Sequence, residues 1–247
     1  MIEAHLQRLR KRDCISPAEE RAIRAMVSET RQVEAHRTII REGDPLSHSI
    51  LVLNGWLARA VDLQSGERLF TQIHIAGDFA DLHGFTLKRL DHDLVALTQT
   101  KIALVPHDRL FDLTARFPHL AWVYWFTTNV DASIHRQWTV SLAGRNAVAR
   151  MAHLLCEIFI RLEVVGLTDG MSCDFPLTQQ QLAGCLGLTS VHVNRTLQEI
   201  RRQGLVELAN KRLRILDFDA LKRVGEFDPA YLFFDFQPER PVSTPER

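Results

Sequence analysis

The stretch Thr178–Gly204 limits what this chain can fold into more than any other. Thr178 stands where a hydroxyl can cap a helix Gln179–Leu186, Gly187 supplies a tight turn, and Leu188 fills the junction. Thr189 caps a second helix that runs to about Gln203 and stops at Gly204. Two short helices around a glycine turn predict a helix-turn-helix. On the second helix Val193, Leu197 and Ile200 recur at i, i+4 and i+7 and face inward. At about 100° per residue, Val191, Arg195, Gln198 and Arg202 fall on the opposite side, with Ser190 and Asn194 flanking it near the start. Val206–Leu208, the Ala209-Asn210-Lys211 turn and Arg212–Leu216 then predict a hairpin, a wing beside the helices.

This polar face has the chemistry of a base reader. Arginine can contact guanine O6 and N7 together, asparagine can contact adenine N6 and N7, and an apolar group such as Val191 can touch a thymine methyl. The N-terminal end of such a helix meets the base edges, while a wing tip reaches phosphate. The expected DNA-contacting set is Thr178, Gln180, Thr189, Ser190, Val191, His192, Asn194, Arg195, Gln198, Lys211 and Arg212. Arg201 and Arg202 are placed for phosphates or for the chain's own carboxylates. Net charge over the 247 residues is zero, so the basic character is local. From Pro176 to Leu216, Arg195, Arg201, Arg202, Lys211, Arg212 and Arg214 face only Glu199 and Glu207. An ordinary helical hairpin with a solvated outer face is the competing reading.

Upstream the texture differs. Ser16-Pro17-Ala18-Glu19 predicts a capped helix to about Val27. From Gln32 to Pro106, turn residues at Gly43-Asp44-Pro45, Asn54-Gly55, Ser65-Gly66 and Gly77-Asp78 separate apolar stretches. Those stretches, Ser49–Leu53, Trp56–Val61, Leu69–Ile75 and Leu94–Val105, predict a small antiparallel barrel or roll. A helix His107–Arg116 precedes a long one after Phe117-Pro118. There Leu120, Thr127, Ile134 and Ser141 recur every seven residues, with Val123, Val130 and Trp138 between them. That imperfect heptad stripe predicts dimerisation through these seven residues, against the alternative of one amphipathic helix packed on the roll. The aromatics Trp122, Tyr124, Trp125 and Phe126 are expected to pack between helix and roll.

A hinge is expected at Leu142–Arg145, an apolar helix from Val148 to Leu162, a loop Gly166–Phe175, and a last helix from Asp217 to about Gly225. The expected divisions are 1–116, a sensory roll; 117–143, a dimerisation helix; 144–225, a winged helix-turn-helix; and 226–247, a tail, Pro-rich and charged from Gln237. The fold class is α+β.

Apolar residues make up 46% of the chain and charged residues 24%, ordinary for a globular protein. The charged N-terminal MIEAHLQRLRKRD does not read as a secretory signal, and no apolar stretch approaches the ~18 residues of a membrane span. The expected compartment is therefore the cytoplasm, with Cys14, Cys156, Cys173 and Cys185 as thiols.

The helix-turn-helix "LTQQQLAGCLGLTSVHVNRTLQEIRRQGLVEL", the turns "REGDPLSHSILVLNGWLAR" and "IAGDFADLHGF", and the stripe Leu120–Ser141 resemble the Crp/Fnr family of bacterial transcription regulators. The resemblance covers about residues 16–220. It implies a cyclic-nucleotide-binding-like β-roll, a homodimer on a two-fold DNA site, and RNA polymerase as a further partner. Two departures matter. Val191 stands where most members carry a glutamate that helps read a cytosine. Ala80-Asp81-Leu82-His83 and His92-Asp93 stand where cyclic-AMP binders carry Gly-Glu-Leu and Arg-Ser. A phosphate would meet Asp93 instead of an arginine, so no cyclic-nucleotide binding is expected; Arg89 is the candidate substitute.

By the resemblance, an iron–sulfur sensor of this family needs clustered N-terminal cysteines, and only Cys14 lies there. His74, Asp81, His83, Asp91 and His92 crowd the roll, but their spacing matches no metal motif. No metal or other cofactor is therefore expected, and the effector is left open. The competing function class is a cupin-like metal-dependent enzyme with the C-terminal helices as a lid.

Overall fold

The computed structural model describes residues 1–235; the tail expected from Gln237 lies outside them. Helices α1 (Glu3–Arg12) and α2 (Pro17–Ala25) lead into β1 (Glu29–Val33), β2 (Thr38–Ile40), β3 (His48–Asn54), β4 (Leu57–Asp62) and β5 (Arg68–His74). A short α3 (Gly84–Leu87), β6 (Asp93–Ala96) and β7 (Thr100–Pro106) complete the roll. Then come α4 (His107–Arg116), the long α5 (Pro118–Gly144), α6 (Ala147–Val164), and the hairpin β8 (Thr168–Asp169) and β9 (Ser172–Asp174). The chain continues through α7 (Gln179–Leu186), α8 (Ser190–Arg202), β10 (Val206–Ala209), β11 (Arg212–Ile215), α9 (Phe218–Gly225) and a 3-10 turn Pro229–Leu232.

The roll is two antiparallel sheets, in the orders β1-β7-β3 and β2-β6-β4-β5. Between them Ile40, Ile50, Val52, Leu57, Leu94, Ile102 and Leu104 form one core. The stretch expected as a single strand Leu94–Val105 is two, because the chain turns at 97–99. Gly55 sits against that turn at φ +82°, where an added Cβ would lie 2.5 Å from the Gln99 carbonyl oxygen, so only glycine fits.

Helix α2 begins as its sequence dictates: Ser16 Oγ accepts from Glu19 N (3.3 Å) and Glu19 Oε2 accepts from Ser16 N (2.8 Å). Helix α1 was not foreseen. Its charge conceals a real stripe, Ile2, Leu6 and Leu9, buried with Ile23, Met26, Phe79 and the start of α5.

Helix α5 corrects the largest expectation. Leu120, Val123, Val130, Ile134, Trp138 and Ser141, assigned to a dimer seam, are buried within this chain, and Thr127 is half-buried. Leu120 and Val123 join the core under α1 and α2; Val130, Ile134 and Trp138 join Ile73, Ile75 and α6. The Thr127 hydroxyl donates to the Val123 carbonyl (2.9 Å). The aliphatic stripe is consumed by the protomer's own core, where burial takes its apolar area out of water. Of the aromatics, Tyr124 is buried and Phe126 half-buried, but Trp122 and Trp125 stand outside, edge to face with centroids 5.5 Å apart.

The expected loop Gly166–Phe175 contains β8 and β9, and β9 pairs with the wing strand β11. The expected tail does not begin at 226. Phe227, Tyr231, Leu232 and Phe234 are buried, and the Arg12 guanidinium donates to the Leu232 carbonyl (3.0 Å). One apolar core runs from Trp56 and Ile75 of the roll through α5 and α6 to Val193 and Leu213.

Candidate nucleic-acid interface

The reading helix is held by its own caps. Thr178 Oγ1 accepts from Gln181 N (3.1 Å) and Gln181 Oε1 accepts from Thr178 N (2.8 Å), a capping box that starts α7. Gly187 turns the chain at φ +60°, and Thr189 Oγ1 accepts from His192 N (3.2 Å) to start α8. Val193, Leu197 and Ile200 are buried. Thr196 is buried with them, its hydroxyl donating to the His192 carbonyl (2.9 Å).

Every residue of the expected contact set on α7 and α8 lies outward except Asn194. Thr178, Gln180, Thr189, Ser190, Val191, His192, Arg195 and Gln198 are exposed, and Asn194 is half-buried. Val191 is 73% exposed, an apolar side chain with no packing role in this chain. The wing turns at Asn210 and Lys211, φ +50° and +60°, the two left-handed residues of a type I′ hairpin. Lys211 is thereby set at the tip.

The basic residues then separate into two groups. Arg202 pairs with Glu199, Arg201 donates to the Leu208 carbonyl, and Arg214 lies 3.6 Å from Glu207. Arg212, expected to contact DNA, is bonded to Asp169 (3.2 Å), across strands the sequence reading had taken as loop. Among the described residues, Arg195 and Lys211 form no ion pair. These exposed cations are the ones left to meet an anion or a base edge.

The helix-turn-helix is seated on the roll. Gln181 Nε2 donates to the Leu97 carbonyl (3.1 Å), and a Cβ added at Gly184 would lie 2.8 Å from the Phe70 ring on β5. Deeper, Arg161 of α6 bonds Asp78 of the roll (2.9 Å) and Glu157 (2.9 Å).

Between the roll and α5 lies a small polar cavity lined by Arg59, Gln72, His74, His83, Thr127, Thr128 and Asp131, among others. Arg59 bonds Asp131 on α5 (2.9 Å) and donates to Gln72 (2.8 Å) and to the Ala80 carbonyl. Arg59 was missed in the sequence. Its signal was a lone arginine between Ala58 and Ala60 in a strand buried on both faces. Arg89, the expected substitute, is exposed. Asp93 accepts from Glu42 N (2.9 Å) and lies 3.8 Å from Arg68.

Of the five candidate ligand residues noted in the roll, the fold gathers three: donor atoms of His83, Asp91 and His92 lie within 4.8 Å of one another. His74 is buried, and Asp81 turns inward to accept from Ile50 N (2.6 Å). Burial pushes the Asp81 carboxyl up to about 7, and burial with the neighbouring Arg59 charge holds His83 down at about 4. The thiols do not suit an iron–sulfur cluster. Cys14 is exposed, while Cys156, Cys173 and Cys185 are buried, and burial raises the Cys156 and Cys173 thiols to about 12. Among the described residues no cysteine joins a converging metal-ligand group.

Comparison with known proteins agrees with this geometry. Residues 30–117 match the cyclic nucleotide-binding domain family, and residues 149–224 match the Crp-like helix-turn-helix domain family. The transcriptional activator protein FnrA of Stutzerimonas stutzeri is 24% identical over 196 residues, 79% of this chain and 80% of that protein. FnrL of Cereibacter sphaeroides is 25% identical over 208 residues, 83% of each chain. The fold superposes on FixK2 from Bradyrhizobium japonicum with a TM-score of 0.73 at 20% identity, covering 80% of this chain and 97% of that one. The C-terminal helices are thus a Crp-like helix-turn-helix module. With the roll, the long helix and the winged module in the same order as these relatives, and over four-fifths of their length, the chain belongs to the Crp/Fnr family of transcription regulators.

Proposed function

We propose that the protein is a transcription regulator that binds a two-fold DNA site as a homodimer and has no enzymatic activity of its own. The observation that carries the reading is Arg195: exposed and unpaired among the described residues, on a capped helix one turn from Val191, with Lys211 exposed at the wing tip. In this reading Arg195 reads a guanine, Val191 packs on a thymine methyl, Asn194 and Gln198 add polar contacts, and Lys211 meets a phosphate. Val191 accepts no hydrogen bond, so the half-site differs at the base pair a glutamate would read.

The dimer forms through the outer face of α5, not the stripe first expected. Trp122, Trp125, Asn129, Ala132, Arg136, Thr139 and Ala143 follow 3-4 spacing and are all exposed, a heptad-spaced face whose apolar members are Trp122, Trp125, Ala132 and Ala143. Two copies joined there would set their reading helices about one DNA turn apart, ~34–36 Å. RNA polymerase is the further partner, because relatives such as FnrA and FnrL are named as activators.

The signal enters at the roll cavity, where the Arg59–Asp131 pair joins the roll to α5. A cyclic nucleotide is not the effector in this reading: His92 and Asp93 occupy the phosphate-binding segment, and Asp93 would repel the phosphate. A rotation of the DNA-binding module about Arg145, where α5 ends, must break Gln181–Leu97 and Arg161–Asp78, so a signal has to favour the broken arrangement. Selection of bound DNA from a random pool tests the whole reading: it yields paired half-sites and a fixed spacing, and an unselected pool would refute it.

A further inference from the structure

The first helix carries positive charge into the interior without an equivalent negative charge. Arg8 and Arg12 of α1 and Arg161 of α6 are 4%, 4% and 1% exposed, yet among the described residues only Asp78 and Glu157 pair with them. His5 beside them adds no charge near neutral pH, since burial holds it down at about 4. Three buried guanidinium groups against two carboxylates leave a surplus of one positive charge.

That surplus falls on Arg12. Among the described residues no carboxylate pairs with it; it donates to the Leu232 carbonyl (3.0 Å) and sits over the rings of Phe234 (4.8 Å) and Phe126 (5.9 Å). Four guanidinium nitrogens, Arg8 Nε and Nη2, Arg12 Nε and Arg161 Nε, are buried with no hydrogen-bond partner among the described residues. An uncompensated buried cation is costly, and an orphaned buried donor asks for a partner. All three arginines line the polar cavity under α5. The free space is small, on the order of a water molecule or two.

We propose that Arg8, Arg12 and Arg161 form a binding site for one compact planar monovalent oxoanion, of the nitrate or bicarbonate class, between α1, the roll and α6. A guanidinium fork matches two oxygens of such an anion, and one negative charge balances the cluster. Neither α1 arginine belongs to the segments 80–83 and 92–93 that match the nucleotide-binding turns. The binding does not rest on the DNA-binding reading, which could fail while the anion site stands. If both hold, the anion sits against the Arg161–Asp78 contact between the two modules and acts as an effector.

The test is thermal unfolding of the full chain at fixed ionic strength, titrating sodium nitrate or bicarbonate against sodium gluconate, whose anion is too large for the cavity. The site predicts that at least one anion raises Tm along a saturating curve, unlike the non-saturating effect of excluded salts. Arg12→Gln should abolish the saturating part. Arg12→Lys keeps the charge but loses the fork, and should move half-saturation up by roughly tenfold; it carries the test if Arg12→Gln does not fold. The proposal is overturned if neither anion saturates, if chloride alone does, or if neither variant changes the curve.

Discussion

Arg161 Nη2 on α6 lies 2.9 Å from Asp78 Oδ2 in the roll, with the two side chains 1% and 10% exposed. The same nitrogen donates to the Ile73 carbonyl (2.7 Å), and Arg8 of α1 pairs with the other oxygen of Asp78. One carboxylate thus joins the N-terminal helix, the roll and the DNA-binding module. Burial opposes its ionisation, but the Arg8 and Arg161 charges outweigh it and hold the carboxyl below its ordinary value.

Asp78→Asn leaves two buried guanidinium groups facing a neutral amide. It should cost ~3–5 kcal/mol, the usual penalty for removing one partner of a buried ion pair. Urea unfolding followed by circular dichroism measures it, and a loss below about 1 kcal/mol would mean the contact is not a structural bolt.

The two faces of α5 predict opposite outcomes. Trp125→Glu on the outer face should turn a dimer into a folded monomer by sedimentation equilibrium. Ile134→Ala on the inner face should leave assembly intact but destabilise the fold by ~2–5 kcal/mol through a core cavity. A reversed pattern would restore the seam first read from the sequence.

His119 accounts for a pH dependence. Burial would lower its pKa, but Glu19 (2.6 Å) and Asp13 (3.1 Å) raise it above the ordinary 6.5. A folded pKa raised above the unfolded one gives stability that is complete below pH 6.5 and lost as pH rises through the folded value. Chemical denaturation of His119→Gln should show a flatter stability profile above pH 6.5 than the parent; parallel profiles would contradict the assignment.

Much of this was legible in the sequence, where local chemistry decides. The Ser16, Thr178 and Thr189 caps, the Gly187 turn and the inward Val193, Leu197 and Ile200 depend on a few adjacent residues, and helices α4 and α7 begin and end where the pattern puts them. The misses are tertiary. A heptad stripe does not say whether its partner is the same chain or another, so Ile134 and Trp138 were given to a dimer while α6 and the roll took them. The roles of Arg59 and Arg12 depend on chain segments far apart, and Arg212's engagement with Asp169 requires a hairpin too short to leave a periodicity.

Lys211, at the wing tip, is a phosphate contact in this account. Lys211→Ala should weaken selected and random DNA alike and lower the slope of log affinity against log salt by about 1 per chain. A loss confined to the selected sequence would make it a base reader instead.

The most direct measurement compares wild type with Arg195→Ala on the selected DNA site and on single-base variants of it, by fluorescence anisotropy at one fixed salt concentration. The account predicts that Arg195→Ala weakens binding by ~1–3 kcal/mol and no longer distinguishes one base pair in each half-site. Equal affinity of the two proteins for the selected site, with the same preference at every position, would contradict it.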